Sequence, residues 1–183
     1  MTSDVGQERR VFPPADSDGS GPASFGTHAS SLVLGFGNVL LCDDGAGVQL
    51  LDRVRSELGE IAAHFIDAGT LSFSLLPYME AAHSMLVFDA ANIGGAPGTI
   101  RLFEGTAMDR FLTSTRRRSV HEVGLIDLLD MARLQDCLPH RRALLCIQPE
   151  RIEWSETLSV PVAEALPEAV RQASALLRRW ESA

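Results

Sequence analysis

The sequence predicts an α/β fold: a three-layer sandwich with a central, mostly parallel sheet flanked by helices on both faces. Two patterns carry that prediction. Ser31–Phe36 and Met85–Asp89 are apolar almost without interruption, and a short continuous apolar run marks a strand covered on both sides, as in parallel sheets. Segments of helical periodicity separate such runs, and strands alternating with helices assemble as βαβ units.

Residues 1–29 are rich in Ser, Gly, Asp and Pro with no periodicity. They read as a disordered N-terminal extension, and residues 30–183 as one α/β domain. After the first strand, helix one is expected over about Gly45–Leu58, with Val48, Leu51 and Val54 on its apolar face and Gly59 as its stop. Ala62–Ile66 is the second strand and Leu71–Ala82 a helical segment that Pro77 kinks or opens. Met85–Asp89 and Thr99–Phe103 follow as strands around the Ala96-Pro97-Gly98 turn, and a polar stretch then leads to Ser119. Val120–Leu134 has helical spacing, Arg142–Gln148 is the last core strand, and Pro161–Trp180 is a long closing helix with proline in its first turn.

Composition narrows the function. A net charge of −8 leaves no broad cationic face for phosphates, so nucleic-acid binding is not expected. Arg116-Arg117-Arg118 is either a solvated loop or a patch that steers an acidic segment. The three cysteines form no CxxC pair and leave an odd count, which fits a reducing cytoplasm, and Cys42 reads as a small packing residue. No apolar run reaches the roughly 18 residues of a membrane span. Arg9-Arg10 is followed by Pro13-Pro14, not by the apolar core a twin-arginine signal needs.

The most informative stretch is Leu32-Val-Leu-Gly-Phe-Gly-Asn38 followed by Val39-Leu-Leu-Cys-Asp-Asp-Gly-Ala-Gly-Val48. A strand breaks at a Gly-x-Gly-Asn turn, two carboxylates follow, and a helix starts. Open α/β sheets place their ligands at such loops. Leu40 occupies the position where a dinucleotide-binding loop needs its third glycine, and Asp43 and Asp44 would repel a pyrophosphate. A nucleotide-binding module is therefore disfavoured, and metal or proton chemistry fits better.

Asp44 in that loop, Asp89 ending an apolar strand, and His121 opening a helix all fall where strands and helices meet, so they can converge. Two carboxylates and one imidazole suit a divalent cation with open coordination positions. Each also has a plainer explanation. Asp43 or Asp44 can cap helix one. Ser119-Val-His-Glu122 fits a capping box, which accounts for Ser119 and Glu122 but not for His121. Asp67 either binds loop amides or acts directly. Asp89 is harder to explain away, because an acid at the end of a buried strand costs desolvation unless something pairs with it. Neither a Gly-x-Ser-x-Gly elbow nor a His-Glu-x-x-His helix is present.

Gly35-Phe-Gly-Asn-Val-Leu-Leu-Cys-Asp-Asp-Gly-Ala-Gly-Val48 closely resembles the N-terminal motif of the nickel–iron hydrogenase maturation endopeptidases. The likeness continues in order through Asp67-Ala-Gly-Thr-Leu71, Leu75-Leu-Pro-Tyr78, Val87-Phe-Asp-Ala90 and Ala96-Pro-Gly-Thr99. It then runs through Ser119-Val-His-Glu-Val-Gly-Leu125, Ile147-Gln-Pro-Glu150 and Ile152-Glu-Trp154. The resemblance implies an α/β sandwich that removes a short C-terminal peptide from the hydrogenase large-subunit precursor after nickel insertion. It also implies that Asp44, Asp89 and His121 recognise nickel supplied by that precursor. The resemblance assigns no general base, and Asp67, an acid at a strand end, is the candidate for one. Asp44 replaces a glutamate of some members, Ala68 a frequent glycine and Glu122 a frequent glutamine. A non-enzymatic nickel-binding chaperone docking on the same precursor would use the same three ligands.

Overall fold

The computed structural model describes residues 31–59, 61, 63–69, 75–115 and 120–182, without the side chains of residues 115 and 120–123. The expected extension, the Arg116–Arg118 patch and the Ser119–Glu122 capping box lie outside the described residues or their described side chains. The elements run β1 Ser31–Phe36, a 3-10 turn Cys42–Gly45, α1 Ala46–Leu58, β2 Ala63–Gly69, α2 Leu76–Glu80 and β3 Ser84–Ala90. They continue with β4 Ile100–Glu104, α3 Thr106–Thr115, α4 Val120–Leu134, β5 Arg141–Ile147 and α5 Val160–Glu181.

Pleating decides the layers, because successive side chains of a strand leave opposite faces of the sheet. Leu32, Leu34, Phe36, Met85, Val87, Leu144 and Cys146 point into the core under α2, α3 and α4. Val33, Leu86, Phe88, Ala143, Leu145 and Ile147 point into the core under α1 and α5. Every residue of β1 and β3 is buried, the doubly covered state that their continuous apolar runs predict. The three-layer α/β sandwich is the observed architecture.

The sheet order is β2-β1-β3-β5-β4. Four strands are parallel, and only β4 runs antiparallel, on the edge beside β5. The chain leaves β1 toward β2 and then crosses back to β3 on the other side, so the strand order reverses between β1 and β3. Ligands of open α/β sheets sit at such a switch point, outside the carboxyl ends of the strands.

Two differences from the sequence reading are physical. The polar stretch before Ser119 contains α3, whose inward side is only Met108 and Leu112 with Phe111 half-buried. Six of the ten residues of α3 are Thr, Ser, Asp or Arg, and that polar composition, which reads as a loop, outweighs a helical period that is present. β2 extends past Ile66 to Gly69, because Asp67 and Gly69 stay in register with Gly35 and Phe36 across a bulge.

Candidate functional site

Glycines bring the turn after β1 down onto the sheet. Gly37 has φ +122°, and a Cβ there would lie 1.9 Å from the Asp44 carbonyl oxygen. At Gly47, in the first turn of α1, a Cβ would meet the carbonyl oxygens of Phe36 at 2.3 Å and Phe88 at 2.5 Å. Only glycine permits either approach. The start of α1 therefore rests on the ends of β1 and β3, and the 3-10 turn carrying Asp43 and Asp44 packs against β3, the strand that carries Asp89.

Asp43, Asp44 and Asp89 are the only charged residues buried among those described. Three buried carboxylates at one sheet edge represent a large desolvation cost. The structure shows how two of them are held. Asp44 Oδ2 accepts the Asn38 amide at 2.8 Å, which binds the acid to the Gly-x-Gly-Asn turn. Asp43 accepts four hydrogen bonds: the Ser159 amide at 2.7 Å, the Ser159 hydroxyl at 2.8 Å, and the Glu150 and Arg151 amides at 2.8 and 3.1 Å. Burial pushes the Asp43 carboxyl up, and those four donors more than offset it, so its pKa lies below the ordinary carboxylate value.

Asp43 is thus not the cap of α1 that its position suggests. Gly45 occupies the N-cap without any side-chain bond, and Asp43 ties the turn to the loop between β5 and α5. The acceptor set of Asp43 is the feature that sequence reading missed. Its donors lie 107 to 116 residues away, so no local pattern signals it. Gln148 was missed likewise. Its Oε1 accepts the Ile93 amide at 2.9 Å and the Gly95 amide at 3.4 Å, pinning the loop that follows β3.

The expected trio is placed as follows. Asp44 follows β1 and Asp89 is the last residue but one of β3, one on each side of the switch point. By pleat parity Asp89 leaves the sheet toward the α2–α4 layer, alongside Met85 and Val87. The backbone of His121 lies in the first turn of α4, and its side chain is outside the described set. α4 ends shortly before β5 begins, so a helix of this length returns its first turn to the carboxyl edge of the sheet. Among the described residues no three His, Cys, Asp or Glu side chains are grouped for a metal. The two carboxylates of the trio are therefore located, and its imidazole is located only by its helix.

Asp67 is not brought to the same point. It sits on β2, two strands from Asp89 and so roughly 9.5 Å away in the sheet, and the pleat turns it toward the opposite face, where Phe65 packs. Its Oδ1 accepts the Gly69 amide at 2.9 Å, the loop-amide role. Cys42 is buried in the turn, and its thiol donates to the Thr157 carbonyl oxygen at 3.2 Å. Chemically, the edge offers two buried oxygen donors of the kind that bind a hard or borderline cation.

Comparison with known proteins places the chain in a family. A family model described as a hydrogenase maturation protease matches residues 48–176, a span that includes Asp67, Asp89 and His121 and begins just after Asp44. The hydrogenase expression/formation protein HoxM of Cupriavidus necator is 33% identical over 152 residues, covering 81% of this chain and 74% of that protein. The hydrogenase 2 maturation protease of Escherichia coli is 29% identical over 149 residues, covering 80% and 90%. The structure of the hydrogenase maturating endopeptidase HybD from E. coli superimposes with a TM-score of 0.75 at 29% identity, over 82% of this chain and 93% of that one. The [NiFe] hydrogenase maturation protease HybD from Thermococcus kodakarensis gives 0.67 at 26% identity, over 81% and 99%. With its family model, relatives and fold in agreement, the chain belongs to the hydrogenase maturation protease family.

Proposed function

We propose that this chain removes a short C-terminal peptide from the large-subunit precursor of a nickel–iron hydrogenase once nickel has been inserted. Asp44, Asp89 and His121 engage that nickel. The observation carrying the reading is the burial of Asp44 and Asp89 on either side of the switch point between β1 and β3. Membership in a protease family supports the hydrolytic half. The nickel is part of the substrate, so two carboxylates and an imidazole in this reading recognise a loaded precursor and leave an unloaded one ungripped. The residues that hold the metal thereby also hold the peptide bond near it, and positioning supplies much of the rate. Asp67 keeps its loop amide in this reading. We place the reaction in the cytoplasm, where Cys42, Cys137 and Cys146 stay as the free thiols they are in this structure. None of the described helices is long and apolar enough to cross a membrane.

Intact-mass analysis tests the reading. Nickel-loaded large-subunit precursor incubated with this protein should lose one C-terminal peptide, and nickel-free precursor should keep its mass. An unchanged mass for the loaded, cognate precursor would overturn the protease reading and favour a chaperone that docks without cutting.

A further inference from the structure

Between β5 and α5 the chain runs from Gln148 to Ser159 with a single bridge as its regular structure, Ser155 beside Leu41. Residues 150–154, 156 and 157 are exposed. Loops that bury so little are ordinarily the most mobile parts of a fold. This one is bonded to the body along its length. Asp43 holds it at both ends, through the amides of Glu150 and Arg151 and through Ser159. In the middle, the Cys42 amide donates to the Ser155 carbonyl oxygen at 2.6 Å, the Ser155 amide donates to the Leu40 carbonyl oxygen at 3.0 Å, and the Cys42 thiol reaches Thr157. All of these bonds run to the turn that carries Asp44.

What this scaffold holds out into water is apolar. Trp154 is 81% exposed and Ile152 58%, with Leu40 44% exposed on the bonded turn. Single exposed apolar residues need no explanation, but a group of them fixed by a rigid frame marks an interaction surface. Beside Leu40 a groove of about 690 Å³ opens between α1 and the loop, bounded by Asp52 and Arg53 on one side and Glu156 on the other. Glu150 and Glu153 lie in the loop with Ile152 and Trp154, and Asp52 and Glu156 line the groove with Leu40, so four acids and two bases, Arg53 and Arg151, share the loop and groove with the apolar side chains. A chain of net charge −8 would set acid against acid if a second copy docked there, and an anionic lipid surface would be repelled. The complementary occupant is a protein surface with apolar side chains flanked by lysine or arginine.

We propose that Leu40, Ile152 and Trp154 form the surface through which this chain docks the body of its hydrogenase precursor, and that Asp43 is the positioning residue holding that surface in register with Asp44. The proposal rests on the proposed function, and it adds where the precursor is gripped. Docking on the loop and cutting beside Asp44 are coupled because one buried carboxylate fastens one to the other.

The test is the affinity of purified nickel-loaded large-subunit precursor for full-length protein, with cleavage kinetics alongside. Trp154→Ala and Ile152→Ser should each weaken binding roughly 10-fold or more and raise KM, with kcat at saturation retained, as for truncation of a central anchor. Leu134→Ser removes an equally exposed side chain, 86%, at the far end of α4 and should change nothing. Asp43→Asn should make the Arg151–Ile152 bond newly sensitive to trypsin and weaken binding. Affinities within twofold of wild type for both loop variants, while wild type still cuts, overturn the docking surface and leave the protease reading standing. Wild type that neither binds nor cuts overturns both. A concentration-dependent dimer that Trp154→Ala abolishes overturns the proposal in favour of self-association.

Discussion

At the scale of single residues, the three buried carboxylates have separate jobs set by their donors. Asp43 is saturated by four donors from one loop and is structural. Asp44 spends one oxygen on the Asn38 amide, and Asp89, one residue before the end of β3, leaves the sheet toward the α2–α4 layer. Replacing Asp89 by asparagine keeps the volume and removes the charge. Cleavage of nickel-loaded precursor should fall roughly 100-fold or more, since even indirect partners of a metal contribute 10- to 100-fold. The melting temperature should stay within about 3 °C, the shift that roughly 1 kcal/mol makes in a chain of this size. A large drop in melting temperature would instead make Asp89 a structural acid. Asp44 and Asp89 are legible as candidates from sequence, because acids at the ends of apolar strands are chemically conspicuous. The role of Asp43 is not legible, since it depends on Ser159.

At the scale of elements, a second charged knot holds the antiparallel corner. Asp109 of α3 receives Arg142 of β5 through Nε at 3.1 Å and Nη2 at 2.5 Å, and Arg133 of α4 at 3.0 Å. The Arg142 hydrogen bond lowers the Asp109 pKa, burial opposes this, and the charges of Arg142 and Arg133 lower it further, to a net value below the ordinary one. The contact therefore stabilises the fold fully above the unfolded carboxylate value of about 3.9 and is lost as pH falls through the lower folded value. Asp109→Asn should cost about 1–2 kcal/mol in urea unfolding at pH 7, and the gap to wild type should begin to narrow below about pH 4. A gap that does not narrow at all as pH falls below about 4 would assign the loss to packing. This corner also shows why α3 escaped the sequence reading: a helix with few apolar residues is held by an ion-pair network formed with residues 24 and 33 positions away.

At the scale of the whole molecule, the sheet edge organises everything else. β1 is an interior strand, bonded to β2 and β3, and its first residue already pairs with Ala63 and Ser84 and shares a 2.7 Å hydroxyl contact with Ser84. We expect a chain beginning at Ser30 to melt within about 3 °C of the full chain, roughly 1 kcal/mol at this size, and a larger loss by differential scanning calorimetry would give residues 1–29 a part in the fold.

The sequence by itself determined the class of fold, the elements with strong periodicity, Asp44 and Asp89 as candidate acids, and the family. Those are local properties, written in a period of two or 3.6 residues and in motifs that keep their order. Only the tertiary structure decided the strand order β2-β1-β3-β5-β4, and with it that Asp44 and Asp89 flank the reversal while Asp67 leaves on the other face. It also decided that Asp43 fastens a loop more than a hundred residues away. Strand order and long-range hydrogen bonds follow from how whole layers pack and which buried groups must be satisfied, and no window along the chain contains both partners.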